Sequence, residues 1–287
     1  MPGTLYVVAT PIGNLGDLTP RAREVLASVA LIAAEDTRHT RQLLQTCGIG
    51  TPLTSLHEHN EGAKSAELVA RLAQGDSIAL VSDAGTPLVS DPGFDLVAAA
   101  RQQGIAVVAI PGACAAIAAL SVAGLPTHRF VFEGFLPAKA AARSERLQQL
   151  AREERTLIFY EAPHRLLEVL RDMTEIFGAQ RRASISRELT KRFETTYSGT
   201  LAELSAAAER DSDMARGEIV IVVTGAPAAG AAALEFDADS LLRALLQELS
   251  PSQAAKIAAR LTGAKRSDLY DTALEIGSVP GEKNSGK

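Results

Sequence analysis

The chain has no tryptophan and only two cysteines, Cys47 and Cys114, among 287 residues. Two cysteines build no disulfide framework, and no charged-then-apolar leader precedes the strand-like run at Thr4. A reducing cytoplasm is therefore the expected location. Aromatic residues amount to 4%, so extensive base stacking is not the expected way of gripping a nucleic acid. Excess positive charge is missing too. Lys plus Arg number 29 against 34 Asp plus Glu, a net charge of −5, so any nucleic-acid contact must come from a local basic patch. The one long uncharged stretch, 104–127, is broken by Pro111-Gly112 and continues rich in alanine. It reads as a buried strand, a turn and a packed helix, and no membrane partner is expected. What is present, 46% apolar and 22% charged residues, is the composition of a globular chain with a large core.

The N-terminal part repeats a short apolar run, a loop with glycine or proline, and a helix with start signals, which predicts parallel β-α units. Strands are expected at Thr4–Ala9, Leu31–Ala34, Ser77–Val81 and Ala106–Ile110. Thr19 caps one helix ahead of Pro20, and Asp91-Pro92 reads as a second cap followed by proline. The pattern pauses around Gly124-Leu125-Pro126. Further strands follow at Phe130–Phe132, Thr156–Tyr160, Ala183–Ser186, Thr195–Ser198 and Ile219–Thr224, suggesting a mixed sheet. The expected organisation is an α/β domain over 1–125, a second over 126–226, a linker over 227–238, a helical module over 239–278 and a frayed tail over 279–287.

In open parallel sheets, ligands bind outside the carboxyl ends of the strands. The loop around Gly13-Asn14-Leu15-Gly16 departs from a dinucleotide-binding G-x-G-x-x-G, and by itself is as well explained by a tight turn. Ser82 to Gly93, SDAGTPLVSDPG, carries far more small and polar residues than a turn needs. Here the sequence resembles the tetrapyrrole methylase superfamily, specifically its 16S rRNA cytidine 2′-O-ribose methyltransferase branch. The resemblance runs from about Thr4 to Gly225. It rests on ATPIGNLGD (9–17), EDTRHT (35–40), SDAGTPLVSDPG (82–93), Pro111 to Ala116, GFLP (134–137), FYEAPHR (159–165), RELTK (187–191) and GEIVIVV (217–223). Ala113 departs from the proline common there in the family.

The resemblance implies two α/β domains with S-adenosylmethionine in the cleft between them, a homodimer, and 16S rRNA of the small ribosomal subunit as partner. Carried over by position, the cofactor cleft would be lined by Pro11, Asp83, Ala84, Gly85, Val89, Cys114, Ala115, Tyr160, Glu161, Ala162, Leu189, Thr190, Gly217, Glu218 and Ile219. Methyl transfer is an in-line displacement that profits most from positioning. Lys191, Glu161 and Glu35 are the leading candidates for handling the proton, with Asp36, His164 and Glu188 behind them. Lys191 acts as a base only if its surroundings lower its pKa; gripping a phosphate suits it equally. His57, Glu58, His59 and Glu61 form a His/Glu group that reads as a solvated loop, and no metal is expected.

Between Lys139 and Arg192 twelve basic residues face eight acidic ones. Lys139, Arg143 and Arg146 recur at i, i+4, i+7, a spacing that lines one helix face for phosphates. Arg38, Arg187 and Arg192 complete the expected RNA contacts. The C-terminal helical patterns, with Lys256, Arg260, Lys265 and Arg266 around Thr262-Gly263, suggest a helix-turn-helix-like module. Competing readings are a small-molecule methyltransferase of the same fold acting on a tetrapyrrole precursor, an NAD-dependent oxidoreductase, and a non-catalytic RNA-binding module.

Overall fold

The computed structural model describes residues 1–227, 238–262 and 264–278. The tail expected over 279–287 and nearly all of the linker expected over 227–238 lie outside the described residues. Two compact units are present, Met1–Ala226 and Pro227–Lys287.

The first unit holds two five-stranded sheets. Strands β1 (Thr4–Val8), β2 (Leu31–Ala34), β3 (Leu53–Ser55), β4 (Ile78–Val81) and β5 (Ala106–Ile110) form an all-parallel sheet in the order β3-β2-β4-β1-β5. Every residue of β2 and β4 is buried, as expected for parallel strands covered by helices on both faces. The edge strand β3 has no counterpart in the sequence reading, because three residues carry no readable period. Thr19 caps the helix Pro20–Ser28 by accepting from the Ala22 N–H.

The second cap differs from expectation. The helix Phe94–Gln102 starts after Gly93, and its cap is the Glu61 carboxylate, whose Oε1 accepts from the Gly93 and Asp95 N–H groups at 2.9 Å each. A through-space carboxylate thus satisfies the orphan donors, leaving Asp91 for another use and giving Glu61 a structural one.

Strands β6 (Phe130–Phe135), β7 (Thr156–Glu161), β8 (Arg182–Arg187), β9 (Thr195–Thr200) and β10 (Ile219–Val223) form the second sheet, in the order β6-β7-β10-β8-β9. Only β6 and β7 pair in parallel. The run IVIVV of β10 is buried at every residue. Ile219, Ile221 and Val223 enter a core with the helices Ala140–Leu150, Leu166–Phe177 and Leu201–Arg210. Val220 and Val222 face the other way, onto Ala116, Ala119 and Leu120 of the helix Ala115–Val122. That helix, following β5 in the chain, packs on the second sheet and ties the two together.

The second unit packs Ala238–Leu245, Pro251–Thr262 and Arg266–Ser278 around Leu242, Ala254, Ala255, Ala258, Leu269 and Ala273. Among the described residues no helix is long and apolar enough to cross a membrane.

Arg143 does not join the expected phosphate-facing stripe. It shares the inward stripe of its helix with Leu147 and Leu150 and is 3% exposed. Its Nε lies 2.6 Å from Asp172 Oδ2, and an Nη lies 3.5 Å from Glu168 Oε2. A guanidinium buried in this way is committed to its carboxylates. Because Asp172 and Glu168 still reach water, Arg143→Ala is expected to cost about 2 kcal/mol, between exposed and buried pairs. Urea unfolding checks this, and a change below about 0.5 kcal/mol would remove the pair from the fold's support.

Candidate active site

The chain leaves β1 towards one edge of the first sheet and β4 towards the other, so the carboxyl ends of these adjacent strands form a topological switch point. Their loops are stitched together there. Thr10 N–H donates to Gly85 O at 2.9 Å and Gly85 N–H returns a bond to Thr10 O at 3.2 Å. Thr86 Oγ1 donates to Ala113 O at 2.9 Å, and the Asp36 N–H donates to Asp83 Oδ1 at 2.9 Å. Gly85 holds φ +83°, and a Cβ there would press on Ile12 at 3.2 Å.

Facing this edge are the ends of β6 and β7, the loops that follow β7 and β8, and the entry to β10, and between the two sheets lies a cavity of about 420 Å³. Asp83, Ala84, Gly85, Val89, Cys114, Ala115, Tyr160, Glu161, Ala162, Leu189, Gly217, Glu218, Ile219 and Glu35 all stand in its wall. Pro11 lies instead beside a neighbouring recess of about 210 Å³. Thr190 and Lys191 are outside the wall. Ile12, Thr86, Ser90, Asp91, Phe135, Pro163 and Val220 line the cavity without having been singled out. All seven fall inside the motifs quoted above, so the signal was the motif itself.

The backbone is strained beside this cavity. Among the described residues, the non-glycine residues at positive φ are Leu88, Ser90, Glu188 and Thr190, at +71°, +68°, +51° and +67°. They bracket Val89 and Leu189, one in each half of the wall. Each costs of order 1 kcal/mol, and such strain concentrates where a ligand must be met.

Three carboxylates crowd the first-sheet side. Burial raises the pKa of Glu35, helped by repulsion from Asp91 and Asp83. Burial also pushes Asp91 up to about 6, against the hydrogen bond from Ser82. Across the cavity Glu161 is 2% exposed, and burial raises it despite the Ala162 N–H and the Arg165 guanidinium. Its Oε2 is buried without a hydrogen-bond partner. Tyr160 is raised by burial and stays a neutral phenol, accepting from the Ala116 N–H at 3.1 Å.

Lys191 is flanked by two carboxylates. Burial acts to lower its pKa, but Glu188 Oε1 at 2.9 Å and Glu218 Oε2 at 3.2 Å outweigh it, and the ammonium is held above the ordinary lysine range. Its methylene stem crosses Gly13, where no Cβ would fit. Asp36 is engaged by Arg38, whose Nη2 lies 2.6 Å from Oδ2. Lys139 and Arg192 are exposed. Arg146 pairs with Glu133 at 2.6 Å, and Arg187 donates to the carbonyls of Arg216 and Phe193.

Two sheets joined at such a cleft are the architecture of the tetrapyrrole methylases, and residues 4–205 match the family Tetrapyrrole (Corrin/Porphyrin) Methylases. Residues 231–277 match the RsmI C-terminal HTH domain. Among solved structures, the methyltransferase CobJ superposes with a TM-score of 0.57 at 22% identity, covering 78% of this chain and 95% of that one. Uroporphyrin-III C-methyltransferase from Thermus thermophilus, complexed with S-adenyl homocysteine, gives 0.51 at 17%, covering 77% and 96%. These likenesses are of fold.

At closer range, the ribosomal RNA small subunit methyltransferase I of Xylella fastidiosa (strain Temecula1) is 58% identical over 94% of this chain and 98% of its own length. That of Pseudomonas aeruginosa is 56% identical over 95% and 97%, and that of Escherichia coli O157:H7 51% over 95% of each. The chain belongs to the ribosomal RNA small subunit methyltransferase I family.

Asp91 gives a stability test independent of any ligand. Folding raises its pKa from 3.8 to about 6, so between those values the folded protein binds more protons than the unfolded chain and loses stability as pH rises. Asp91→Asn is therefore expected to melt above the wild type at pH 7.5, with the gap closing as pH falls through 6 towards 4. Equal melting temperatures at pH 7.5 would mean that the ionised carboxylate carries no penalty.

Proposed function

We propose that this chain transfers a methyl group from S-adenosylmethionine to the 2′-hydroxyl of a cytidine in the decoding region of 16S rRNA, within the small ribosomal subunit. The observation that carries the reading is the two-sided cavity, where Asp83-Ala84-Gly85 and Cys114-Ala115 face Tyr160-Glu161-Ala162 and Glu218-Ile219. Family membership supports the substrate class.

The residues present fit such a cofactor. Small side chains let a ligand approach the backbone, and Glu35, Asp83 and Asp91 favour a cationic group. Glu161 Oε2, buried and unpartnered, is an acceptor awaiting a donor. When bound, S-adenosylmethionine supplies a methyl on a positively charged sulfur, which an oxygen nucleophile displaces in line.

The protein's share is then to hold the ribose hydroxyl at the right distance and angle, and to accept its proton. Glu161 and Glu35 are the groups proposed for the proton, because both lie in the wall and both are raised. Lys191, bridging Glu188 and Glu218, positions the Leu189 loop. Lys139, Arg38, Arg146, Arg187 and Arg192 are the proposed phosphate contacts. Ile117 and Val122, 50% and 51% exposed on the helix Ala115–Val122, offer an apolar face to a second copy and support a homodimer. A cytoplasmic location follows from this substrate.

The test is transfer of labelled methyl to small subunits lacking the modification, with naked 16S rRNA in parallel and the product mapped by nuclease digestion and mass spectrometry. Label on one ribose of the subunits is expected. Its absence from both RNAs, with cofactor binding intact, would point to a small-molecule substrate. Gly85→Arg, which fills the cleft from its backbone wall, is expected to weaken S-adenosylmethionine binding at least 100-fold by calorimetry. Undiminished affinity would move the site elsewhere.

A further inference from the structure

Strand β6 carries a one-residue irregularity with a geometric consequence. Phe132 pairs with Ile158 of β7, and the next pairs are Gly134 with Phe159 and Phe135 with Tyr160, so Glu133 is an extra residue. On a regular strand, residues three apart point to opposite faces. The bulge cancels that and brings Phe132 and Phe135 to the same face, where both rings meet Tyr160 edge-on, at centroid distances of 4.9 and 5.7 Å. Bulges of this kind re-aim side chains next to active sites. This one is pinned, because the Glu133 carboxylate is buried under the guanidinium of Arg146 at 2.6 Å.

The ring so aimed stands in the cavity wall, yet Phe135 remains 57% exposed. An open phenyl ring is poorly suited to water, and no protein side chain beyond Tyr160 forms an aromatic contact with it among the described residues. By contrast the inner wall is closed: Glu161, Ile219 and Leu189 are 2%, 3% and 7% exposed. Phe135 is thus a rim residue, open to whatever approaches the cavity from outside.

We infer that Phe135 is the platform on which the base of the target nucleotide stacks. The inference rests on the methyl-transfer reading above. For its ribose to enter a cleft, a nucleotide in folded RNA must give up its own stacking, and an aromatic ring at the rim replaces the lost contact. A phenyl face stacks any base, so it holds the nucleotide in place and leaves sequence selection to other contacts.

The experiment compares wild type, Phe135→Leu and Phe135→Tyr on small subunits lacking the modification at saturating S-adenosylmethionine, with cofactor affinity measured by calorimetry. Leucine keeps the apolar bulk and removes the π-face. It is expected to raise KM for the subunits about tenfold, to leave cofactor affinity and melting temperature within error, and to be rescued by tyrosine. An unchanged KM, a tyrosine variant as impaired as leucine, or a parallel loss of cofactor affinity would each overturn the assignment, the last by placing the ring against the cofactor. A wild type that labels no subunits would sink the methyl-transfer reading and this inference with it, whereas defects confined to the comparison among variants bear on Phe135 alone.

Discussion

A strand that is apolar on both faces must be covered on both faces, and β10 sets that demand at the centre of the second sheet. Its Ile219, Ile221 and Val223 are covered by helices of its own half, but Val220 and Val222 need a helix from elsewhere. The helix Ala115–Val122 meets the need because it is nearly all alanine and leucine on that side, so its backbone lies close to the sheet. Each large apolar side chain buried there is worth roughly 1.5–3 kcal/mol. Since this helix begins directly after the Pro111–Cys114 loop at the end of β5, burying it on β10 also brings the strand ends of the first sheet to face those of the second. The cavity follows from how the core is closed.

That origin explains why the cavity's costs are tolerated. Buried carboxylates at Glu35, Asp91 and Glu161 and left-handed residues at Leu88, Ser90, Glu188 and Thr190 are each unfavourable. They persist because the loops that carry them are fixed from behind by reciprocal bonds such as Thr10 with Gly85 and by the hydrophobic seam under Ile12 and Leu189. A cationic ligand relieves the repulsion among Glu35, Asp83 and Asp91. Binding a cation and easing that repulsion therefore act in the same direction.

What the sequence made legible was local. Runs such as LIAA at 31–34, ALV at 79–81 and IVIVV at 219–223, with glycine and proline between them, were enough to place strands and the edge where ligands bind. The dense loop at 82–93 pointed to a site because its composition exceeds what a turn requires. What stayed hidden depends on partners distant in the chain. Asp91-Pro92 looks like a cap until Glu61, thirty residues away, takes that role. Arg143 looks like part of a basic face until Asp172 buries it. Lys191 reads as a possible base or a phosphate grip, and only the approach of Glu218 from the neighbouring strand end decides for a charged bridge. The three-residue β3 left no periodic trace at all.

Composition also sets a constraint that placement can meet. Few aromatics and a net charge of −5 argue against extensive stacking and against a broad basic surface, but a site needs only a few such groups well placed. The bulge at Glu133 delivers one phenyl ring to the rim. The loop running from Leu189 in the cavity wall to Arg192 carries two positive charges, of which Lys191 is neutralised by Glu188 and Glu218 and Arg192 is left exposed over Phe193. The acidic interior and this sparse positive charge differ in sign: carboxylates inside suit the proposed cationic donor, and Arg192, left uncompensated outside, suits the phosphates of the proposed RNA acceptor. On the proposed function, an overall acidic chain thereby keeps its two ligands apart by the sign of their charge.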